Sequence, residues 1–210
     1  MAIKTSLALL GKRLGYKVYG NGICKPIAKK EKFKNREWLY DLMWYKDGKE
    51  DYIIKEFNVA FEIEWGNTRY KEEKNNHHIR FGEAKYDFQK LIVSNAELCV
   101  FIFQINKTMC INKDFEEIIE FIRTQFFEYN RLIDNTPFLL VGYDKKRKSF
   151  MHSTITFTNK KDNSISEPRL YSKSVFNKQL ISIKQQRMIW PNKFCYYDSL
   201  LSLLLSIHHK

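Results

Sequence analysis

Val59-Ala60-Phe61-Glu62-Ile63-Glu64-Trp65 is the segment of this chain with the clearest local pattern. Its larger apolar side chains fall on one face of an extended chain and its two glutamates on the other, which is the period of two that a β-strand gives. The segment therefore predicts a strand that carries the carboxylates of Glu62 and Glu64 side by side on one face.

A second strand is predicted upstream, from Trp38 to Tyr45, because this aromatic-rich segment ends in the turn signature Lys46-Asp47-Gly48-Lys49. Asp41 lies inside it among apolar residues, where an unpaired charge would be costly, so its carboxylate is expected to have a partner or a metal ion. The strand could pair with residues 52–54 or with residues 59–65. In the second case a hairpin would bring Asp41, Glu62 and Glu64 together.

The rest of the chain predicts alternating helices and strands. Helical spacing of apolar residues predicts helices at Ile3 to Leu14, Glu83 to Asn95 and Asp114 to Ile133, with Asp114 as the N-cap of the last. Apolar runs predict strands at Tyr16 to Tyr19, Leu98 to Ile105 and Pro137 to Tyr143. A basic, irregular stretch is expected after Gly20-Asn21-Gly22, and a hairpin after Phe150. This order predicts an α/β fold around a mixed sheet.

The remaining sequence predicts helices near Ser174 to Arg187 and Tyr197 to His208. We expect a core at residues 1–145, with residues 146–210 packed on it as a hairpin and helices. Leucines between Leu200 and Ile207 give apolar surface on several helix faces, which leaves a homodimer open, although packing on the chain's own core is the favoured interpretation.

Charge points to a polyanionic partner. Lysine and arginine outnumber aspartate and glutamate by 36 to 24, a formal net charge of +12, which favours nucleic acid or an acidic membrane surface. One basic run, Lys29-Lys30-Glu31-Lys32, taken alone is typical of a solvated loop.

The four cysteines are far apart in the sequence and show neither a metal-knuckle nor a redox spacing. No disulfide framework or secretory signal is apparent, so a cytoplasmic protein is expected. The apolar run at Leu200 to Ile207 is much shorter than the roughly 20 residues that span a bilayer, and no membrane association is predicted. No hydrolase triad or glycine-rich phosphate loop is evident.

The order of these elements resembles the PD-(D/E)XK nuclease superfamily, whose fold is the restriction-endonuclease-like mixed central sheet flanked by helices. In that family an amphipathic helix precedes a strand bearing an Asp, a strand with Glu-X-Lys, a helix and a further buried strand. The matching parts here are Ile3 to Leu14, Asp41, Glu62-Ile63-Glu64, Glu83 to Asn95 and Leu98 to Ile105. The resemblance spans roughly Ile3 to Ile105.

The resemblance implies a metal-dependent endonuclease acting on double-stranded DNA with Mg²⁺ or Mn²⁺. Asp41, Glu62 and the Ile63 carbonyl would bind metal, and Glu64 would bind a second metal or orient the attacking water. Two positions depart from the family pattern: Tyr40 replaces a Pro, and Glu64 replaces the usual Lys, as in family members with Glu-X-Glu. Lys85 or Lys90 would then stand in for the missing lysine.

Three other interpretations stay open. Glu62 and Glu64 can form an ordinary solvated strand face, which is what an isolated Glu-X-Glu usually is. The chain can be a non-catalytic nucleic-acid-binding or assembly protein that retains the nuclease fold. It can also be an interaction module that uses the apolar C-terminal helix.

Overall fold

The computed structural model describes residues 2–36, 38–50, 53–65, 81–105, 111–129, 136–144, 149–156, 164–165 and 169–171. The chain divides into two compact units. The first comprises Met1–Glu56 with Leu170–Lys210, and the second comprises Phe57–Arg169. Both contain helices packed on strands, so the predicted α/β class is confirmed. The predicted division at residue 145 stays a prediction.

The first unit is built on a small sheet in the order β2-β1-β3. Its elements are α1 (Ala2–Arg13), β1 (Lys17–Gly20), α2 (Lys25–Glu31), β2 (Lys34–Asn35) and β3 (Leu42–Asp47). β1 pairs with β2 in parallel and with β3 antiparallel. α1 contacts both β1 and β3, and buries Leu7 and Ala8 completely.

A glycine fits α1 closely to the sheet. A side chain at Gly11 would collide with the indole of Trp44 on β3. Trp44 is itself fully buried and stacks on Tyr16 with ring centroids 5.9 Å apart. The absent side chain therefore lets the helix approach the aromatic layer of β3.

Residues 25–31, predicted to be irregular, form the helix α2 instead. Pro26 lies in its first turn, where a proline's missing N–H costs nothing, and Lys32 ends it in the left-handed conformation. The helix has only seven residues and buries only Ala28. A helix this short gives no apolar periodicity, which is why the sequence pattern missed it.

The expected strand at residues 38–45 begins later than predicted. β3 starts at Leu42, and Asp41 directly precedes it. Trp38 and Leu39 are 46% and 56% exposed. The placement of Asp41 inside a strand is therefore wrong, because Trp38 and Leu39, which were predicted to be strand core, are surface residues.

The second unit is built on strands in the order β4-β5-β6-β7-β8. β4 (Ile54–Glu64) begins in the first unit. It is followed by α3 (Gly82–Ile92), β5 (Leu98–Ile105), α4 (Ile111–Glu128), β6 (Pro137–Asp144), β7 (Ser149–Thr156), β8 (Ser164–Ile165) and β9 (Arg169–Tyr171). β4, β5 and β6 are parallel neighbours, and β6, β7 and β8 are antiparallel. The expected hairpin after Phe150 corresponds to β7 and β8.

Each parallel pair is joined through a helix, as a parallel connection requires. α3 lies between β4 and β5 in the chain, and α4 between β5 and β6. Both helices contact β5 and also contact one another, so they cover the same face of this sheet. Phe88 on α3 is fully buried there, with the rings of Phe101, Phe126 and Phe138 within 6.1 Å.

The predicted start of α4 is wrong. α4 begins at Ile111, three residues before Asp114, so Asp114 lies in its first turn and is not the N-cap. Asp114 is buried, and a carboxylate in a first helical turn interacts favourably with the helix dipole.

The helices predicted near residues 174–187 and 197–208 lie outside the described residues. Among the residues that the structure describes, no helix is long and apolar enough to cross a membrane.

Candidate active site

β4 carries Glu62 and Glu64 into the second unit's sheet. It pairs in parallel with β5, so that Glu62 lies beside Phe101, Ile63 beside Ile102 and Glu64 beside Phe103. Val59, Phe61 and Ile63 are buried, as the alternation predicts, but the other face of the strand is buried too. Glu62 is only 1% exposed and Glu64 is half-buried. A solvated strand face is therefore excluded for Glu62.

A lysine from the next helix meets the buried glutamate. Lys90 Nζ lies 3.5 Å from Glu62 Oε2 and donates a hydrogen bond of 2.7 Å to Asp87 Oδ1, one turn earlier on α3. We call these three residues the Glu62–Lys90–Asp87 cluster. The shorter contact is a strong charge-assisted hydrogen bond, whereas the longer one is mainly an attraction between charges.

The electrostatics of the cluster keep Lys90 protonated. Burial lowers the pKa of Lys90, but the hydrogen bond to Asp87 and the negative charges of Glu62 and Asp87 outweigh that effect and raise the pKa to about 12. At neutral pH Lys90 is therefore a fixed cation. It can donate hydrogen bonds and stabilise negative charge, but it cannot accept a proton.

Of the two lysines proposed for the missing family position, Lys90 is the one whose ammonium contacts Glu62, at 3.5 Å. The Lys85 ammonium lies 3.4 Å from Glu117 Oε1 on α4 and 5.5 Å from the centroid of the Phe121 ring. The sequence had not singled out Asp87 as a site residue. Its spacing of three residues from Lys90 on a helix is the signal that could have found it.

Asp41 has the partner that its surroundings predict. Lys4 Nζ, on α1, lies 2.5 Å from Asp41 Oδ1, and the Asp41 carbonyl accepts a hydrogen bond of 2.9 Å from the Asn21 amide. Lys4 and Asp41 are 37 residues apart in the chain. No local pattern links them, so only the tertiary structure identifies Lys4.

The donor atoms of the predicted site suit a hard cation. Asp41, Glu62 and Glu64 offer carboxylate oxygens and Ile63 a carbonyl oxygen, which are the ligands that Mg²⁺ and Mn²⁺ prefer. Within the described part of the chain, no group of three or more His, Cys, Asp or Glu side chains is gathered closely enough to hold an ion. Asp41 belongs to the first unit and the two glutamates to the second, so their convergence stays a prediction.

Comparisons with protein-family models, with curated proteins and with solved structures find no match for this chain.

Proposed function

We propose that the protein is a divalent-metal-dependent endonuclease that hydrolyses phosphodiester bonds of double-stranded DNA. The observation that carries the proposal is the nearly complete burial of the Glu62 carboxylate beside the Lys90 ammonium. Removing such charges from water costs several kcal/mol per ion. Buried, charge-paired groups are accordingly enriched at functional sites.

The order of elements supports a restriction-endonuclease-like fold. An amphipathic helix, α1, is followed by a strand that begins next to Asp41, then by β4 with Glu62 and Glu64, the helix α3 and the buried strand β5. These parts come in the order that the family resemblance predicts, with two differences: β1, α2 and β2 lie between α1 and β3, and Asp41 precedes its strand instead of lying within it. The formal charge of +12 further suits a polyanionic substrate.

The proposed roles follow from the chemistry of each group. Asp41, Glu62 and the Ile63 carbonyl would hold the metal ion, and Glu64 would hold a second ion or orient the attacking water. A bound Mg²⁺ or Mn²⁺ would supply positive charge against the phosphate and lower the pKa of water.

Lys90 acts in this scheme as a cation. Because its pKa is about 12, it stays protonated and stabilises negative charge that develops on the phosphate. It also fixes the side chain of Glu62 through their contact. Proton transfer then falls to Glu64, a half-buried carboxylate two residues further along the same strand.

A second function has an observation in its favour. Lys4 forms an ion pair with Asp41, and Lys90 forms one with Glu62. A non-catalytic nucleic-acid-binding or assembly protein that retained the nuclease fold would keep such ion pairs for stability alone.

A plasmid-nicking assay separates the two. The wild type should convert supercoiled DNA to the nicked form in Mg²⁺ or Mn²⁺ and not in EDTA, and Glu62→Gln should lose this activity. Glu56→Gln is the matched control, because Glu56 lies on the same strand in a surface ion pair with Lys46. Absence of nicking by the wild type, or full nicking by Glu62→Gln, contradicts the nuclease proposal.

A further inference from the structure

Three side chains form a compact aromatic and cationic group in the first unit. Arg36 Nε donates a hydrogen bond of 2.5 Å to the Tyr19 hydroxyl, and its guanidinium lies 5.6 Å from the centroid of the Tyr19 ring. The ring of Trp38 lies 5.5 Å from that of Tyr19 and 6.4 Å from that of Tyr40. We call Tyr19, Arg36 and Trp38 the aromatic–arginine cluster.

The cluster combines a buried aromatic contact with side chains that reach water. Tyr40, which meets the Trp38 ring edge-on, is buried. Trp38 is 46% exposed, and Arg36 is exposed. An indole that contacts two aromatic rings and is still about half exposed offers a preordered surface for stacking.

The chain around the cluster is strongly basic. Residues 25–38 contain six cations, Lys25, Lys29, Lys30, Lys32, Lys34 and Arg36, against two acids, Glu31 and Glu37. The short ion pair of Glu31 is with Lys12 of α1, at 2.9 Å, and its charge also attracts Lys30. The run that looked like a solvated loop is thus part of a concentrated positive surface.

The sheet brings the two features to one edge. β2 ends the strand order of the first unit, and Lys34 is the register partner of Tyr19 on β1. The side chains of two register partners project from the same face of a sheet. Arg36 follows β2 directly and reaches the Tyr19 hydroxyl, so cations and aromatic rings share this edge.

We propose that the aromatic–arginine cluster and the cations of residues 25–36 bind a single-stranded segment of nucleic acid, with an unpaired base stacked on Trp38. The inference rests on the nucleic-acid substrate of the proposed function and adds to it a single-stranded extension. Positive charge tracks phosphates, and an exposed aromatic ring accepts a base of any sequence. A duplex hides the faces of its bases, so only an unpaired base can use the ring.

Charge complementarity decides between this ligand and a protein partner. An apolar protein surface would gain from Trp38 and Leu39 but would have to desolvate the surrounding lysines without compensation. A nucleic acid satisfies both the ring and the cations.

The test is binding of a fluorescein-labelled oligo(dT) of 20 nucleotides, followed by anisotropy in EDTA so that cleavage plays no part. Trp38→Ala should weaken affinity by about 5- to 150-fold, the equivalent of a base–aromatic stacking of about 1–3 kcal/mol. Trp38→Phe should recover most of the loss, because a phenyl ring still stacks. Phe127→Ala is the control, since Phe127 is an exposed aromatic residue on α4.

A second variant tests the cations. Lys29→Gln/Lys30→Gln/Lys32→Gln should weaken binding and reduce the slope of affinity against salt on a log–log plot by about two to three, because fewer counterions are released. Two results overturn the inference. One is a Trp38→Ala protein that binds oligo(dT) as tightly as the wild type does. The other is a wild type that binds oligo(dT) no more tightly than Trp38→Ala does. Binding that behaves as expected in a protein that nicks no plasmid leaves the inference standing and removes only the nuclease proposal.

Discussion

The two units each pair an acid with a lysine, but at different depths. In the first unit Asp41 and Lys4 are 23% and 18% exposed, and one contact of 2.5 Å joins them. In the second unit the Glu62 side chain is 2% exposed, and Lys90 is shared between it and Asp87. Water therefore screens the first pair in part, whereas the protein alone compensates Glu62.

This difference separates two ways in which a fold can tolerate an acid near its core. Asp41 can be hydrated if Lys4 is removed, because both side chains reach solvent. Glu62 cannot, so its charge depends on what α3 supplies. The same replacement of a lysine is expected to have unequal consequences in the two units.

The largest effect concerns cleavage by Glu64→Ala. If Glu64 orients or deprotonates the attacking water, the variant should lose about 10²- to 10⁴-fold in cleavage rate, the usual contribution of a general base. The rise in melting temperature caused by Mn²⁺ should be largely retained, unlike in Glu62→Ala. Single-turnover cleavage and thermal melts measure both. A Glu64→Ala protein that cleaves normally would show that only the buried acid matters.

Lys90→Met should lower the free energy of unfolding by about 3 kcal/mol, near the lower end of the range for breaking a buried ion pair, because Lys90 itself is 32% exposed. Urea denaturation measures this. Lys46→Met removes an exposed lysine from its pair with Glu56 and should change stability by at most about 0.5 kcal/mol. If Lys90→Met and Lys46→Met lost equal amounts of unfolding free energy, the buried pair would stabilise the protein no more than the exposed one.

Lys4→Met should lower the free energy of unfolding by about 1 kcal/mol, which is less than for Lys90→Met, because the pair with Asp41 is partly hydrated. Lys12→Met is a matched control on the same helix, because Lys12 is half in water in its pair with Glu31. Its expected cost is smaller still. The same denaturation experiment ranks all of these variants, and a loss for Lys4→Met as large as for Lys90→Met would contradict the account.

Alkaline pH should reduce the contribution of Lys90 to the free energy of unfolding. Its pKa is raised from the ordinary value of 10.5 to about 12, so its stabilising contribution is fully present below pH 10.5 and is lost as the pH rises through 12. The stability difference between wild type and Lys90→Met should therefore narrow over this range.

Cys99 adds a separate alkaline loss. Burial raises the pKa of its thiol from 9.0 to about 12, despite the opposing hydrogen bond to Ser94, so stability falls as the pH rises above 9. Cys99→Ala should flatten that part of the profile of stability against pH.

For Lys90, a constant difference in the free energy of unfolding between wild type and Lys90→Met up to pH 12 would argue against its pairing with Glu62 and Asp87.

The sequence predicted those elements whose own side chains dictate them. The apolar run at Leu98 to Ile105 is β5, residue for residue, and helical spacing located α1, α3 and α4 to within a few residues, except at the end of α4. α2 escaped because seven residues with one buried side chain carry no period. Asp41 was misplaced because Trp38 and Leu39 look like strand core but are exposed.

The candidate site was predictable only in part, for a similar reason. Alternation in residues 59–65 placed Glu62 on a strand, but it left open whether that face is solvated or covered. That this face is covered follows from the packing of the second unit's helices and strands, which no local pattern encodes. The partners of the acids, Lys4 and Lys90, lie 37 and 28 residues away in the chain, and such pairs are set by tertiary structure.

The most direct test of the central claim is calorimetric titration of Mn²⁺ into the metal-free wild type, Asp41→Asn and Glu62→Gln, with Asp47→Asn as the control. Asp47 lies on β3 in an exposed pair with Lys17. The account predicts binding by the wild type and by Asp47→Asn, and a loss of at least tenfold in affinity in both Asp41→Asn and Glu62→Gln, about 1.4 kcal/mol. Unchanged Mn²⁺ affinity in either of these two variants would contradict the claim that Asp41 and Glu62 serve one metal ion.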